Sequence, residues 1–451
     1  MSRSMRMSVA VFGARAWIAV LVAALSAAWA LPASALPSFA RQTGTACAAC
    51  HVGSFGPQLT AFGRDFKLRG YTLTAGDIKK IPLSAMLVTS YTHTSKDQPG
   101  GAGPYDGDNN NFSVQELSVF GAGRISERIG MFAQVTYSDI DRHVALDNVE
   151  IRYARPFTDG DHSGVFGVSV NNSPGLSDLW HTQGVWRFPY MGSELAPAPE
   201  AAPLIDEGLG QQVIGADAYV FIDSKWYGAI GLYDTLSASF LSDINADYGG
   251  RLDGLAPYWR LAYQPAWGGG GWEFGASGLT AGIQPDSASS NTNHYSDYGV
   301  DGSYEKSVGN GNMLTVSARY MHEHQQLHAA FAAGEADRID HSLNSTNISA
   351  SYYLDNSYGF TFGWFGTTGT RDGLLYPDSR HASPKSRGEV LQVDWTPFGK
   401  ADSWKQPWAN VRFGLQFTHY DQFNGDSGNY DGGGRDASDN DTLFLFAWWS
   451  I

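Results

Sequence analysis

"VRFGLQFTHY", residues 411 to 420, decides what kind of fold this chain adopts. Val411, Phe413, Leu415 and Phe417 fall on one side of a period-two repeat, and Arg412, Gly414, Gln416 and Thr418 on the other. Strict alternation over this length reads as a β-strand with one apolar and one polar face. The pattern recurs in "LTVSARYMHE" (314–323), where Leu314, Val316, Ala318 and Tyr320 oppose Thr315, Ser317 and Arg319. In "MFAQVTYS" (131–138), Met131, Ala133, Val135 and Tyr137 oppose Phe132, Gln134, Thr136 and Ser138, and "NISASYYL" and "EVLQVDW" behave alike.

Such segments begin near residues 83, 111, 129, 144, 162, 213, 225, 256, 272, 294, 313, 344, 358, 388, 410 and 441. Sixteen is an even number, as closed single-chain bacterial barrels require. The connections sort by length. After even-numbered segments they are short ("SERIG", "TDGDH", "SK", "WGGGG", "GNGN", "DNS"); after odd-numbered ones they are mostly long and polar, as in "SKDQPGGAGPYDGDNN" and the stretch from Ser173 to Gln212. The short third link and the longish "KADSWKQPWA" break the rule. This asymmetry predicts an all-β fold, an antiparallel transmembrane β-barrel of about sixteen strands over 83–451, with turns in the periplasm and loops outside. The chain ends "DTLFLFAWWSI", which sets Leu443, Leu445, Ala447, Trp449 and Ile451 toward lipid, with the tryptophans at interface depth.

Composition agrees. Glycine reaches 53 residues and aromatics 13%, while charged residues are only 17%, against about a quarter in soluble domains. Residues 1–35 read as a secretory signal: Arg3, Arg6 and Arg15, an apolar run from Ala16 to Ala30, then Ala33-Ser34-Ala35 as a cleavage site. A net charge of −15, which grows more negative once that signal is removed, speaks against nucleic acid as a partner.

Between the two lies a helical segment, 36–82, and it holds both cysteines of the chain: Cys47-Ala48-Ala49-Cys50-His51. A thioredoxin-like pair needs an adjacent βαβ unit. A zinc site needs a second pair of soft ligands. A disulfide across two residues is strained and closes almost no loop. C-x-x-C-H is the attachment signature of c-type haem, with two thioethers from Cys47 and Cys50 and with His51 as the iron ligand. The run "GPQLTAFGRDFKLRGY" (56–71) reads as one short helix, with Leu59, Phe62 and Phe66 on one face, Lys67 and Arg69 in its last turn and Gly70 as its stop. With Phe39, Phe55 and Tyr71, that face would cover a porphyrin or pack against the barrel. Fewer than fifty residues are marginal for an independent domain, so the segment is expected to lean on the barrel and at least partly enter its lumen.

"PSFARQTGTACAACH" (37–51), then "PQLTAFGRDFKLRGY" (57–71), then sixteen strands: this order resembles the fused outer-membrane monohaem cytochrome c–porins of iron-oxidising bacteria. The resemblance implies one covalent haem c held by Cys47, Cys50 and His51, with His51 on the metal. It implies electron transfer across the bacterial outer membrane, from extracellular Fe(II) or another donor to a periplasmic carrier such as a soluble cytochrome. Whether such a protein counts as an enzyme, a ferrous iron oxidase, is left open; no hydrolase or transferase signature is present.

The residues themselves also admit a solute porin with a haem plug or redox sensor, and a haem enzyme acting on a small molecule. They leave the sixth haem ligand open, with Met86 and His93 in the first strand as candidates or as ordinary strand residues. His322, His324 and His328 read as a polar strand end, or else as a lumenal metal group. The aspartates at 426, 431, 436, 439 and 441 read as turn residues or as a cation-gathering surface. Ser173 to Gln212, rich in tryptophan and proline, either folds inward or caps the mouth.

Overall fold

The computed structural model describes residues 37–76, 82–246, 249–267, 270–285, 291–309 and 311–451, so the export signal read over 1–35 lies outside the described residues. Sixteen long strands follow one another: β1 (Leu83–Thr94), β2 (Asn111–Arg124), β3 (Ile129–Ser138), β4 (His143–Asp159), β5 (His162–Asn171), β6 (Val213–Ile222), β7 (Trp226–Thr235) and β8 (Ala256–Tyr263). The second half comprises β9 (Gly270–Gln284), β10 (Asn293–Ser307), β11 (Met313–Leu327), β12 (Asp340–Leu354), β13 (Tyr358–Gly369), β14 (Ser386–Trp395), β15 (Asn410–Gln422) and β16 (Thr442–Ser450). Each pairs antiparallel with its sequence neighbours, and β16 pairs with β1 from Met86↔Ser450 to Thr94↔Thr442, which closes the barrel. Two-residue pieces at Arg251–Leu252 and Ala266–Trp267 extend the ladder along β9. Every strand begins within four residues of its sequence-based start, the largest offset falling at Asp340.

The wall is inside-out. On β15, Arg412, Gly414 and Gln416 are buried while Leu415 and Phe417 are exposed. Around the circumference Ile230, Leu261, Val300, Phe360 and Leu391 point outward, each more than half exposed. Arg152, Arg260, Asp217 and Glu273 point inward and are almost fully buried. A closed sheet with an apolar exterior and a charged interior is stable in a lipid layer, where all backbone groups are paired and the outer side chains meet acyl chains. Trp226 packs at a tilt against Tyr263 at the short-turn end, and Tyr91 against Phe112 at the long-loop end, where barrels carry aromatic residues at the interfaces. The chain is therefore an outer-membrane β-barrel, with short turns on the periplasmic side and long loops outside. Trp449 faces out as expected, but Trp448 faces in. Successive strand residues must take opposite faces, so the two tryptophans cannot share the interface.

The small helical segment enters the periplasmic half of the lumen. It comprises α1 (Pro37–Thr43), α2 (Cys47–Cys50) and α3 (Ala61–Leu68). Gln42 accepts from the Arg124 N–H at the end of β2; Arg64 pairs with Glu305 of β10; the Tyr219 hydroxyl of β6 donates to the Leu68 carbonyl; and Asn410 of β15 donates to the Ser54 carbonyl. Contacts thus reach the wall on every side. α3 is shorter than the sequence suggested. Thr60 caps it by accepting from the Gly63 N–H at 3.2 Å, so Gly56 to Leu59 lie outside the helix and Phe62 points away, 39% exposed. The buried face is Gly63, Phe66, Lys67 and Leu68 instead. The cap moves the start by several residues, and with it the face that packs inward.

Ser173 to Gln212 folds inward and crosses the lumen. Its near end is tied by Asp178 to Arg260 of β8 at 2.9 Å. Its far side reaches the opposite wall, where Gln416 of β15 donates to the Met191 carbonyl and Arg319 of β11 to Asp206. The backbone N–H groups of Leu204 and Ile205 donate to Glu323 and Asp297.

Candidate cofactor site

Between the helical segment and this lumenal loop lies a cavity of about 570 Å³. Cys47, Cys50 and His51 form one side; Phe39, Phe66 and Tyr71 continue it; Met86, Phe120, Phe132 and Trp448 come from the wall; Leu176, His181, Trp186, Tyr190 and Met191 from the loop. The sequence-predicted trio is thus brought to one surface of one cavity. Much of the lining is aromatic or aliphatic, as in sites that enclose a flat apolar ligand.

The trio is positioned by local geometry. α2 is a single turn, so Cys47 and Cys50 project from the same side, and His51 leaves it in extended conformation (φ −117°, ψ 134°). The His51 backbone N–H donates to the Cys47 carbonyl, closing that turn, and His51 pairs with Leu59 in an isolated bridge. α3 lies so close that a Cβ on Gly63 would stand 2.2 Å from the Cys50 carbonyl oxygen. Only glycine allows that approach. The Cys47 N–H donates to the side-chain oxygen of Gln406 at 3.0 Å, and the Ser54 hydroxyl donates to the Gly399 carbonyl. Gln406 belongs to "KADSWKQPWA" (400–409), the longish link that broke the turn-length rule, and Gly399 directly precedes it. Its extra residues hold the cysteine turn.

Electrostatics suit a metal ligand. Burial, and then the Arg412 guanidinium, push the His51 imidazole down to about 4 against the pull of backbone groups at Gly56 and Gln58. It is neutral at physiological pH, the form that coordinates metal. Its Nδ1 is buried and has no hydrogen-bond partner among the described residues. Burial pushes the Cys47 thiol up to about 11, and burial with Cys47 nearby pushes Cys50 up to about 12. The two thiols are not bonded to each other. Raised so far, they are poor nucleophiles and poor redox thiols on their own. The group called for by C-x-x-C-H needs two thiols, a neutral imidazole beside them and an apolar enclosure. The residues present fit it.

Three residues escaped the sequence. Lys67 is buried, its Nζ donating to the Leu176 and Asp178 carbonyls at 2.8 Å each and lying 3.1 Å from His181 Nε2. Burial lowers its pKa to about 8. His181 Nδ1 donates to the Pro57 carbonyl, and burial, then Lys67, hold this imidazole well below its ordinary range. Met191 packs with Met86 and Phe55. The available signal was composition: Trp180, Trp186, Phe188, Tyr190 and Met191 are apolar cargo for an exposed loop.

Other candidates resolve plainly. Met86 faces the cavity, whereas His93 bonds to Asn110 at the outer end of β1, away from it. His322 bonds to Asn344 on the outer wall, and His324 and His328 are exposed, so they mark a polar strand end. The aspartates of 424–441 are engaged by protein groups: Asp426 pairs with His381, Asp436 and Asp439 form a capping box, Asp431 accepts from the Gly433 and Arg435 N–H groups, and Asp441 accepts from His419 and Tyr420.

No protein-family model matches the chain, and no curated protein sequence does. Among solved structures the chain is similar to an anion-selective porin from Comamonas acidovorans, at 11% identity and a TM-score of 0.47, covering 82% of this chain and 98% of that one. It is also similar to the outer membrane channel DcaP of Acinetobacter baumannii, at 11% identity and a TM-score of 0.45, covering 82% and 96%.

Proposed function

We propose that the chain is an outer-membrane c-type cytochrome that moves electrons across the membrane, from extracellular Fe(II) or a comparable donor to a soluble periplasmic carrier. One observation carries the reading: Cys47, Cys50 and His51 line one cavity inside a membrane-spanning barrel. Haem c, when bound there, supplies a one-electron iron couple within an apolar band about 25 Å tall.

The protein's own part is position, ligation and exclusion of water. Cys47 and Cys50 would carry the thioethers, and His51 would offer its neutral ring to the iron. Phe39, Phe66, Phe120 and Trp448 keep the surroundings apolar. Lys67, bonded to the Leu176 and Asp178 carbonyls, fastens the loop over the cavity. Met86 and Met191 present thioethers to the same space, while both nitrogens of His181 are engaged. Either methionine would be available to hold the iron, and a thioether ligand would raise the potential relative to an imidazole.

A solute porin with a haem plug is the other reading. The barrel fits it, but a helical segment in one half of the lumen and a loop crossing the rest weigh against free solute flow. Purified protein should show a Soret band that survives denaturation and is lost in Cys47→Ala/Cys50→Ala. In liposomes, ferrous iron added at the long-loop face should reduce the haem. A stable Soret band with no response to external Fe²⁺, together with high ion conductance, would favour the porin.

A further inference from the structure

We propose that the outer half of the lumen holds a binding site for a small oxyanion, a carboxylate or a phosphate, centred on Arg319. A second cavity, of about 370 Å³, lies across the lumenal loop from the first. Arg187, Pro189, Gly192 and Ser193 line both, so this stretch of loop is the partition between them. Thr367, Thr418, Tyr420 and Thr442 line the second cavity near the outer ends of their strands, so it is approached from the long-loop side.

Arg319 is 5% exposed, and its Nη1 donates to Asp206 Oδ1 at 2.6 Å. Its Nε and Nη2 are buried with no hydrogen-bond partner among the described residues. A guanidinium presents its N–H groups as a planar fork, and leaving two unpaired in a buried position is costly unless something accepts from them. Arg187 stands 3.4 Å from the other oxygen of Asp206. Within this cavity two guanidiniums face one carboxylate; Glu207, on the first cavity's side of the partition, also faces Arg187, so the free hydrogen-bonding capacity rests on Arg319. Asp297 and Glu323 each accept a backbone N–H, from Ile205 and Leu204, and do not line it, although Asp297 Oδ1 has no hydrogen-bond partner among the described residues. Ser317, Ser345, Asn347 and Ser349 also line it, beside apolar Phe365, Val390 and Phe444; Ser317 pairs with Ser349 and Ser345 with Asn347, and their hydroxyl and amide groups could turn to an oxyanion. The volume suits a small molecule. The site stands on residues separate from Cys47, Cys50 and His51, so it does not depend on the haem reading.

Isothermal titration of the detergent-solubilised full barrel with citrate, and separately with inorganic phosphate, tests this. Saturable 1:1 binding of at least one anion is expected, and the stronger of the two arms identifies its class. Arg319→Gln should weaken that binding roughly tenfold or more, the loss of a charge-assisted bidentate contact. Asp206→Asn, which removes the competing carboxylate, should tighten it, a gain that misfolding cannot produce. Absence of saturable binding of both anions at millimolar concentration would mean that water takes the free N–H groups, and would overturn the site. Binding unchanged in Arg319→Gln, with the barrel intact by circular dichroism, would overturn it equally.

Discussion

The backbone N–H of Cys47 donates to the side-chain oxygen of Gln406 at 3.0 Å, across 359 residues of chain. Gln406 is itself held, its amide donating to the Phe398 carbonyl at 2.7 Å. A periplasmic turn thereby fixes the first residue of the cysteine turn. Gln406→Ala should leave that N–H without its partner and cost about 1 kcal/mol of local stability. Faster hydrogen exchange at Cys47, with the barrel's thermal transition unchanged, is the expected result.

Gly63→Ala should be more damaging than its chemistry suggests. The new methyl would meet the Cys50 carbonyl oxygen at 2.2 Å, and backbone cannot yield as a flexible side chain does. A cost of about 1–3 kcal/mol follows from such overpacking. The barrel should still assemble, while the fraction of protein with a covalently attached Soret chromophore falls.

Acid should loosen the lumenal segment when the cofactor is absent. His51 in the folded state sits near 4, below its ordinary value of about 6.5. Between those values the unfolded chain binds the proton and the folded one does not, so stability falls as pH drops from 6.5 to 4. The loss is about 3 kcal/mol for this group, and the lowered His181 adds in the same direction. Proteolysis of residues 37–76 in the cofactor-free protein, followed against pH, should show it, and His51→Gln should flatten the curve.

Asp178→Ala should release the lumenal loop. Asp178 accepts from Arg260 Nε and from the N–H groups of Trp180 and Thr182, while Glu273 and Asp301 would remain to balance the guanidinium. With the charge still compensated, the expected cost is about 2 kcal/mol rather than that of an orphaned ion. Single-channel recording should show conductance rising from the closed level of the parent protein.

Much of this was legible before any fold was seen. Alternation in "VRFGLQFTHY" and its counterparts placed the strands, because the two faces of a strand are a property of neighbours in the chain. The sixteen starts and the inward or outward assignment of Arg412, Leu415 and Arg319 needed nothing else. The C-x-x-C-H spacing likewise named its own trio. The helix read over 56–71 is shorter in the fold because Thr60 caps it, so that it spans Ala61–Leu68.

What the sequence determined by itself is the set of features whose partners lie within a few residues: strand register against solvent or lipid, turn chemistry, the cysteine turn and its histidine. Closure of the barrel decided the remainder. It brought Gln406 to Cys47, Lys67 to the Leu176 and Asp178 carbonyls, and Arg319 to Asp206, pairs more than a hundred residues apart. Their meeting depends on where the sheet's circumference carries each strand, and on the inward path of 173–212. The physical reason is range: periodicity records which side of a strand faces lipid, but not what stands across the lumen from it.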